Sequence, residues 1–250
     1  MDISYCTLED VGRKGGAVVV IDVLRAYTTA AVALAAGAGP YELVSTLEQA
    51  YARRHEDPAV KLLGEVDGYT ADGFDFGNSP TAIHGMDLTG VAIVHRSSAG
   101  TQGVVRATAA ARVLTASFAV AAATARALAE EEQVTFCLTG ADARRDGEED
   151  RACAEYIAAL LRNGPDVDPG PYVARVATST AGASFLSTHR PDLSPQDVVF
   201  AQVVDRFDFA MRVRHEGARN LLSRQNRPPD RADPDRSTTH DHRHHHPRRP

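Results

Sequence analysis

Val18-Val19-Val20-Ile21-Asp22-Val23-Leu24-Arg25-Ala26-Tyr27-Thr28-Thr29 joins a β-branched run to an acid, then to an alanine-rich stretch. A short, continuously apolar run is the pattern of a strand buried on both faces. Residues 17–23 therefore predict a strand and residues 25–36 the helix that follows it. Outward from here the alternation repeats. Further strands are predicted over 41–45, 60–64, 91–95, 112–115 and 134–139. Helices are predicted over 47–54, 99–110, 118–131 and 150–162. Ser45 and Glu48 have capping-box spacing ahead of the second helix. Ala152, Cys153, Tyr156, Ile157, Leu160 and Leu161 form one apolar stripe along the last of these helices. Residues 178–189 and 196–204 read as two more helices and 210–215 as a late strand. Alternating strands and helices predict an α/β fold, a mostly parallel sheet covered by helices, in one domain over residues 1–224.

From residue 225 to 250 the composition changes to Pro, Asp, Arg and His with almost no apolar residues. Such a segment cannot offset its ordering entropy, so a disordered tail is expected. His240, His242, His244, His245 and His246 offer opportunistic metal ligands, but the plain reading is a solvated tail. The tail holds six Arg and four Asp, so the net charge of -6 hides a body of about -8. An acidic body argues against general nucleic-acid binding, which needs a basic footprint. The most apolar stretch, residues 17–39, contains Asp22 and Arg25, and a membrane span would have to bury both. Three scattered cysteines fit a reducing compartment, and Met1-Asp2-Ile3-Ser4 does not begin a signal peptide, so a cytoplasmic protein is expected. Nothing in the sequence decides between a monomer and a homo-oligomer.

Ligands of parallel sheets bind beyond the carboxyl ends of the strands. At those ends stand Asp22, then Gly64-Glu65, then Arg96-Ser97-Ser98-Ala99-Gly100-Thr101, then Gly140, with Glu148-Glu149-Asp150 opening a helix shortly after. Together they predict one polar rim, with oxygen ligands for a hard cation and donors for an anion. Taken singly, each has a plainer role. Asp22 can cap a helix and pair with Arg25. The acids at 148–150 can complement a helix dipole, worth roughly 0.3–1 kcal/mol. Ser97, Ser98 and Thr101 can cap the next helix. Familiar phosphate motifs are missing: there is no P-loop, no second Asp two positions after Asp22, and no Arg six positions after Cys137. Asp72-Gly73-Phe74-Asp75-Phe76-Gly77-Asn78-Ser79-Pro80 is a poor strand and a poor helix. It reads as a structured loop whose two Phe anchor it while Asp75, Asn78 and Ser79 stay available.

These strings resemble a known family. Val20-Ile21-Asp22-Val23-Leu24-Arg25-Ala26 with Thr28-Thr29 is similar to the first signature of the 2-phosphosulfolactate phosphatase family. Leu63-Gly64-Glu65 with 73–80, Ser98-Ala99-Gly100-Thr101, Glu149-Asp150-Arg151-Ala152-Cys153-Ala154, Asp197-Val198-Val199-Phe200 and Val204-Asp205-Arg206-Phe207-Asp208 resemble its later segments, in order. The resemblance implies an unusual α/β fold and a Mg²⁺-dependent hydrolase of a small phosphorylated substrate. The named reaction yields sulfolactate and phosphate, a step of coenzyme M formation. It further implies catalytic roles for Asp22, Arg25, Glu65, Asp75, Ser98, Thr101 and Glu149. Thr28, Thr29, Asn78, Ser79, Ser97 and Gly100 would bind substrate, and Asp22, Glu65, Glu149 and Asp150 would hold the metal. Three positions depart from the family pattern: Tyr27 replaces Thr, Val66 replaces Arg and Ala99 replaces Asn. The last two remove donors suited to an anionic substrate. A phosphate-ester binding protein that has lost turnover is the alternative reading.

Overall fold

The computed structural model of the chain describes residues 1–141, 146–187, 190 and 192–226. The tail beyond 226 lies outside them. In chain order the strands are β1 (Asp2–Cys6), β2 (Ala17–Ile21), β3 (Tyr41–Val44), β4 (Lys61–Val66), β5 (Tyr69–Thr70), β6 (Ile93–Arg96), β7 (Arg112–Ala116), β8 (Gln133–Leu138), β9 (Phe209–Glu216) and β10 (Arg219–Asn226). The helices are α1 (Ala26–Ala35), α2 (Leu47–Glu56), α3 (Pro80–Ile83), α4 (Gly100–Arg106), α5 (Ala121–Leu128), α6 (Glu148–Asn163), α7 (Gly170–Thr178), α8 (Thr180–Leu186) and α9 (Pro195–Ala201). No helix among the described residues is long and apolar enough to cross a membrane.

The strands form one ten-stranded sheet in the order β1-β8-β2-β7-β9-β10-β3-β6-β4-β5. It is an α/β fold, as expected, with two parallel blocks. One is β1, β8, β2 and β7; the other is β3, β6 and β4. The β9–β10 hairpin lies between them, and all three junctions it makes are antiparallel. The blocks therefore run in opposite directions, which the sequence did not foretell, yet the carboxyl ends of β2, β4 and β6 still meet in one place. The end of β8 is joined to them through Asp150, which bonds to the Val23 and Gly140 amides.

β2 is the buried centre of the first block: all five residues of Ala17–Ile21 are fully covered. α1 is apolar on every face and buried from Ala26 to Leu34, as a helix inside a core must be. In α6 the expected stripe, from Ala152 through Tyr156 and Ile157 to Leu160, faces the core.

Local chemistry shifted several boundaries. α2 starts one residue later than Ser45 implied: Thr46 Oγ1 accepts from the Gln49 amide, and Gln49 Oε1 accepts from the amides of Ser45 and Thr46. That is the actual capping box. The expected helix over 178–189 begins instead at Ser179, whose extended backbone ends α7 and whose Oγ accepts from Gly182 to cap α8. β1, β5, α3, α7 and β10 were not foreseen. β10 has few apolar residues because much of it is exposed even in mid-sheet. It runs through Gln225 and Asn226, two residues past the expected boundary, and Gln225 Oε1 accepts from Arg112.

Candidate active site

The end of β2 sets the frame. Asp22 follows the last residue of the strand, and its Oδ1 accepts from the Ala26 amide at 2.9 Å, fixing the carboxylate against the first turn of α1. Its Oδ2 faces Gly100 at the start of α4, where an added Cβ would lie only 2.6 Å away. Glycine at 100 is thus required by close approach. The Gly100 carbonyl accepts from the Tyr27 hydroxyl at 2.6 Å, so Tyr27 braces this corner from behind. Tyr27 is fully buried; burial above all, then the charge of Asp22, hold its phenol well above the usual range.

Asp150, in the first turn of α6, ties two strand ends together. Its Oδ1 accepts from the Val23 amide at 2.8 Å and its Oδ2 from the Gly140 amide at 2.7 Å. Burial, then the charges of Glu149 and Asp22, push its carboxyl well above the usual range. Glu149 is itself only 3% exposed. Asp22, Glu149 and Asp150 are therefore one electrostatic group.

A cleft of about 610 Å³ opens beside Asp22. Five expected residues line it: Asp22, Arg25, Glu65, Asn78 and Ser98. Arg25 is anchored by Asp197 of α9, Nη1 to Oδ2 2.7 Å, and not by Asp22 as the sequence suggested. Asp197 is wholly buried and also accepts from the hydroxyls of Ser79 (2.7 Å) and Thr81 (2.6 Å). The Arg25 guanidinium lies 5.1 Å from the ring centre of Phe185. Glu65 is committed to loop structure: Oε1 accepts from the Ser98 amide at 2.6 Å, and Oε2 from the Gly68 amide at 2.6 Å and the Ser98 hydroxyl at 3.0 Å. It locks the turn after β4 to the loop after β6. Asn78 is 3% exposed, and its side-chain oxygen has no hydrogen-bond partner among the described residues. A buried unsatisfied carbonyl is costly unless a ligand pairs with it.

The other expected residues do not reach the cleft wall. Asp75 sits at the far end of β4, where it accepts from the Leu62 amide and pairs with Lys61 and Arg54. Burial opposes its charge, but these partners outweigh it and hold the carboxyl below its ordinary value. Its role is to clasp the loop, not to react. Ser97 and Thr101 bond to each other's backbone, closing the start of α4. Thr28 Oγ1 donates to the Val23 carbonyl, and Thr29 is buried in α1. Ser79 caps α3 as well as holding Asp197. The expected amide cradle is likewise partly filled, since the Ser98 amide serves Glu65 and the Thr101 amide serves Ser97.

Among the described residues, no three His, Cys, Asp or Glu side chains converge to enclose an ion. Mg²⁺ does not require such a cage; it is commonly held by one or two carboxylates with water and substrate oxygens completing the shell. The crowding of Asp22, Glu149 and Asp150 is a donor set of that kind, and a cation would relieve the repulsion that raises Asp150.

Two residues were given no site role from the sequence: Asp197, which anchors Arg25 without lining the cleft, and Arg190. Asp197 stands fourth in a Ser-Pro-Gln-Asp helix start, where an acid passes for a capping feature. Arg190 lines the cleft from the connection between α8 and α9 and gave no motif signal. Val66 does not line the cleft, whereas Ala99 does.

Fold and site together define an α/β protein with an acid-and-arginine cleft suited to an anionic substrate. The profile of the 2-phosphosulpholactate phosphatase family matches residues 4–193, and the chain belongs to that family of phosphoric monoester hydrolases. A protein of Bacillus subtilis (strain 168) named probable 2-phosphosulfolactate phosphatase is 28% identical over 199 residues, covering 80% of this chain and 87% of that protein. One of the same name from Deinococcus radiodurans is 41% identical over 162 residues, covering 62% and 66%. Another from Thermus thermophilus is 38% identical over 156 residues, covering 61% and 64%.

Proposed function

We propose that the cleft hydrolyses the phosphate monoester of a small hydroxy acid of the 2-phosphosulfolactate type, with Mg²⁺ as cofactor. The observation that carries this reading is convergence. Asp22 and Arg25, Glu65, Asn78 and Ser98 come from four separate stretches of chain onto one cleft. Arg25 is poised there by a buried carboxylate. A guanidinium held in this way offers a charge-assisted bond to a phosphoryl oxygen without first having to be ordered. Asn78 adds a neutral hydrogen-bonding head, and the Glu65 clasp fixes the loops that bound the cleft.

Asp22, with Glu149 and Asp150 behind it, would hold the magnesium ion. When bound, the ion supplies charge neutralisation on the phosphoryl oxygens and lowers the pKa of water. Asp22 itself is kept in place by the Ala26 amide and by the space that Gly100 leaves.

The test is release of inorganic phosphate from 2-phosphosulfolactate and from 2-phospholactate, with added Mg²⁺ and with EDTA. Magnesium-dependent release from either ester is the expected result. Binding of both esters with no release would overturn the proposal in favour of a binding protein.

A further inference from the structure

The turn after β4 carries two arginines on successive carbonyls. Arg25 Nη2 lies 3.4 Å from the Gly68 carbonyl, and Arg190 Nη2 donates to the Asp67 carbonyl at 2.7 Å. Both side chains line the cleft. Their charges are balanced very differently. Arg25 is matched by Asp197. Arg190 forms no ion pair with any carboxylate of the described residues, and its Nε is buried with no partner. Its guanidinium instead lies 4.0 Å over the centre of the Tyr69 ring. That arrangement holds the plane of the guanidinium while leaving its charge uncompensated.

The surrounding segment is built to keep Arg190 there. Asp192 Oδ1 accepts from the Thr70 hydroxyl at 2.9 Å, and Leu193 is buried. Residue 68 must be glycine: its φ is +85°, and a Cβ would lie 2.9 Å from Arg190 Nη2.

We infer that Arg190 is the specificity residue of this cleft and reads a second acid group on the substrate. The class of ligand is a phosphate monoester whose carbon skeleton also carries a carboxylate or sulfonate. The inference rests on the proposed function for which group is cleaved, but it assigns the reader of the group that is not cleaved. Arg25, already paired, faces the phosphoryl end; Arg190, unpaired, faces the second anion. A charge-assisted hydrogen bond in such a place is worth about tenfold to a hundredfold in selectivity.

The experiment compares 2-phospholactate with propan-2-yl phosphate, which has the same skeleton without the carboxylate. It uses the full chain with Mg²⁺ and reads the ratio of the two kcat/KM values. The native protein should favour 2-phospholactate by about tenfold to a hundredfold. Arg190→Met should bring the ratio near one. Arg190→Lys, which keeps charge but not the planar seat on Tyr69, should fall between. Arg214→Met, on the exposed face of β9, should leave the ratio as it is. The inference is overturned if Arg190→Met weakens both esters equally, which is the behaviour of a purely structural clamp, or if the native ratio is already near one. Calorimetric Kd values for the same pairs separate this from the proposed function. Binding without turnover overturns the hydrolase reading but still tests Arg190 through the ratio of Kd values. No binding of either ester overturns both.

Discussion

Arg25 and Asp197 are 172 residues apart in the chain and 2.7 Å apart in space, with 5% and 0% of their side chains exposed. The pair joins the first turn of α1 to the first turn of α9, and through Ser79 and Thr81 it also holds the loop that presents Asn78. Removing one partner of a buried ion pair strands the other, at a cost of about 3–5 kcal/mol. Asp197→Ala should lose stability on that scale in urea unfolding. Asp197→Asn, which can still accept hydrogen bonds, should lose less stability but at least tenfold in kcat/KM, because Arg25 is then no longer held by charge. Native kcat/KM in Asp197→Asn would remove Arg25 positioning from the account.

Gly100→Ala should separate activity from folding. The new Cβ would lie 2.6 Å from Asp22 Oδ2 and 2.8 Å from the Ala26 methyl. The carboxylate must move, and overpacking of this kind costs about 1–3 kcal/mol. The expected outcome is a folded protein, by circular dichroism, with phosphate release down by about a hundredfold, as follows from displacing a reacting group by roughly an ångström. An active Gly100→Ala would mean that the position of Asp22 is unimportant.

Asp75→Asn should do the reverse. Its partners are Lys61 and the Leu62 amide at the start of β4 and Arg54 of α2, and none of them lines the cleft. The clasp is partly solvent-exposed, so its loss should cost on the order of 1 kcal/mol. Turnover at 25 °C should stay within twofold of native. A large loss of kcat would restore Asp75 to the reacting groups.

Sequence alone carried the β2–α1 junction, because a β-branched run ending in an acid leaves few alternatives. It also marked Asp22, Arg25, Glu65, Asn78 and Ser98 as site residues. It could not show that the two parallel blocks oppose each other, since that depends on β10. Arg219-Asn220-Leu221-Leu222-Ser223-Arg224 has too little apolar patterning to announce a strand in mid-sheet. Nor could it divide labour among the acids. Asp75 and Glu65 carry the same charge as Asp22, and only their partners reveal them as clasps: Leu62, Lys61 and Arg54 for one, Ser98 and Gly68 for the other. Arg190 was invisible because its setting, a stacked ring and a carbonyl from 123 residues earlier, has no local signature.

Stability should fall in mild acid through His95. Its ring is wholly buried on β6, with Nδ1 2.9 Å from the Tyr41 hydroxyl, and burial pushes its pKa down to about 3. An unfolded imidazole takes up its proton near pH 6.5. Between those values the unfolded chain binds a proton that the folded chain refuses. Stability is therefore intact above about 6.5 and is lost as pH drops toward 3, by up to ~1.4 kcal/mol per pH unit. Urea midpoints at pH 7.5 and 5.0 should differ less in His95→Asn than in native protein. Equal pH dependence in the two would mean that His95 is protonated in the fold.

The most direct measurement is magnesium-dependent phosphate release by native protein and by Asp22→Asn, side by side on 2-phosphosulfolactate. The substitution keeps the shape of the side chain and its bond to the Ala26 amide, but removes the charge that would hold the cation. The native protein should release phosphate in a reaction that EDTA abolishes, and Asp22→Asn should fall at least a thousandfold with its melting temperature within a few degrees of native. Undiminished turnover in a folded Asp22→Asn protein would contradict it.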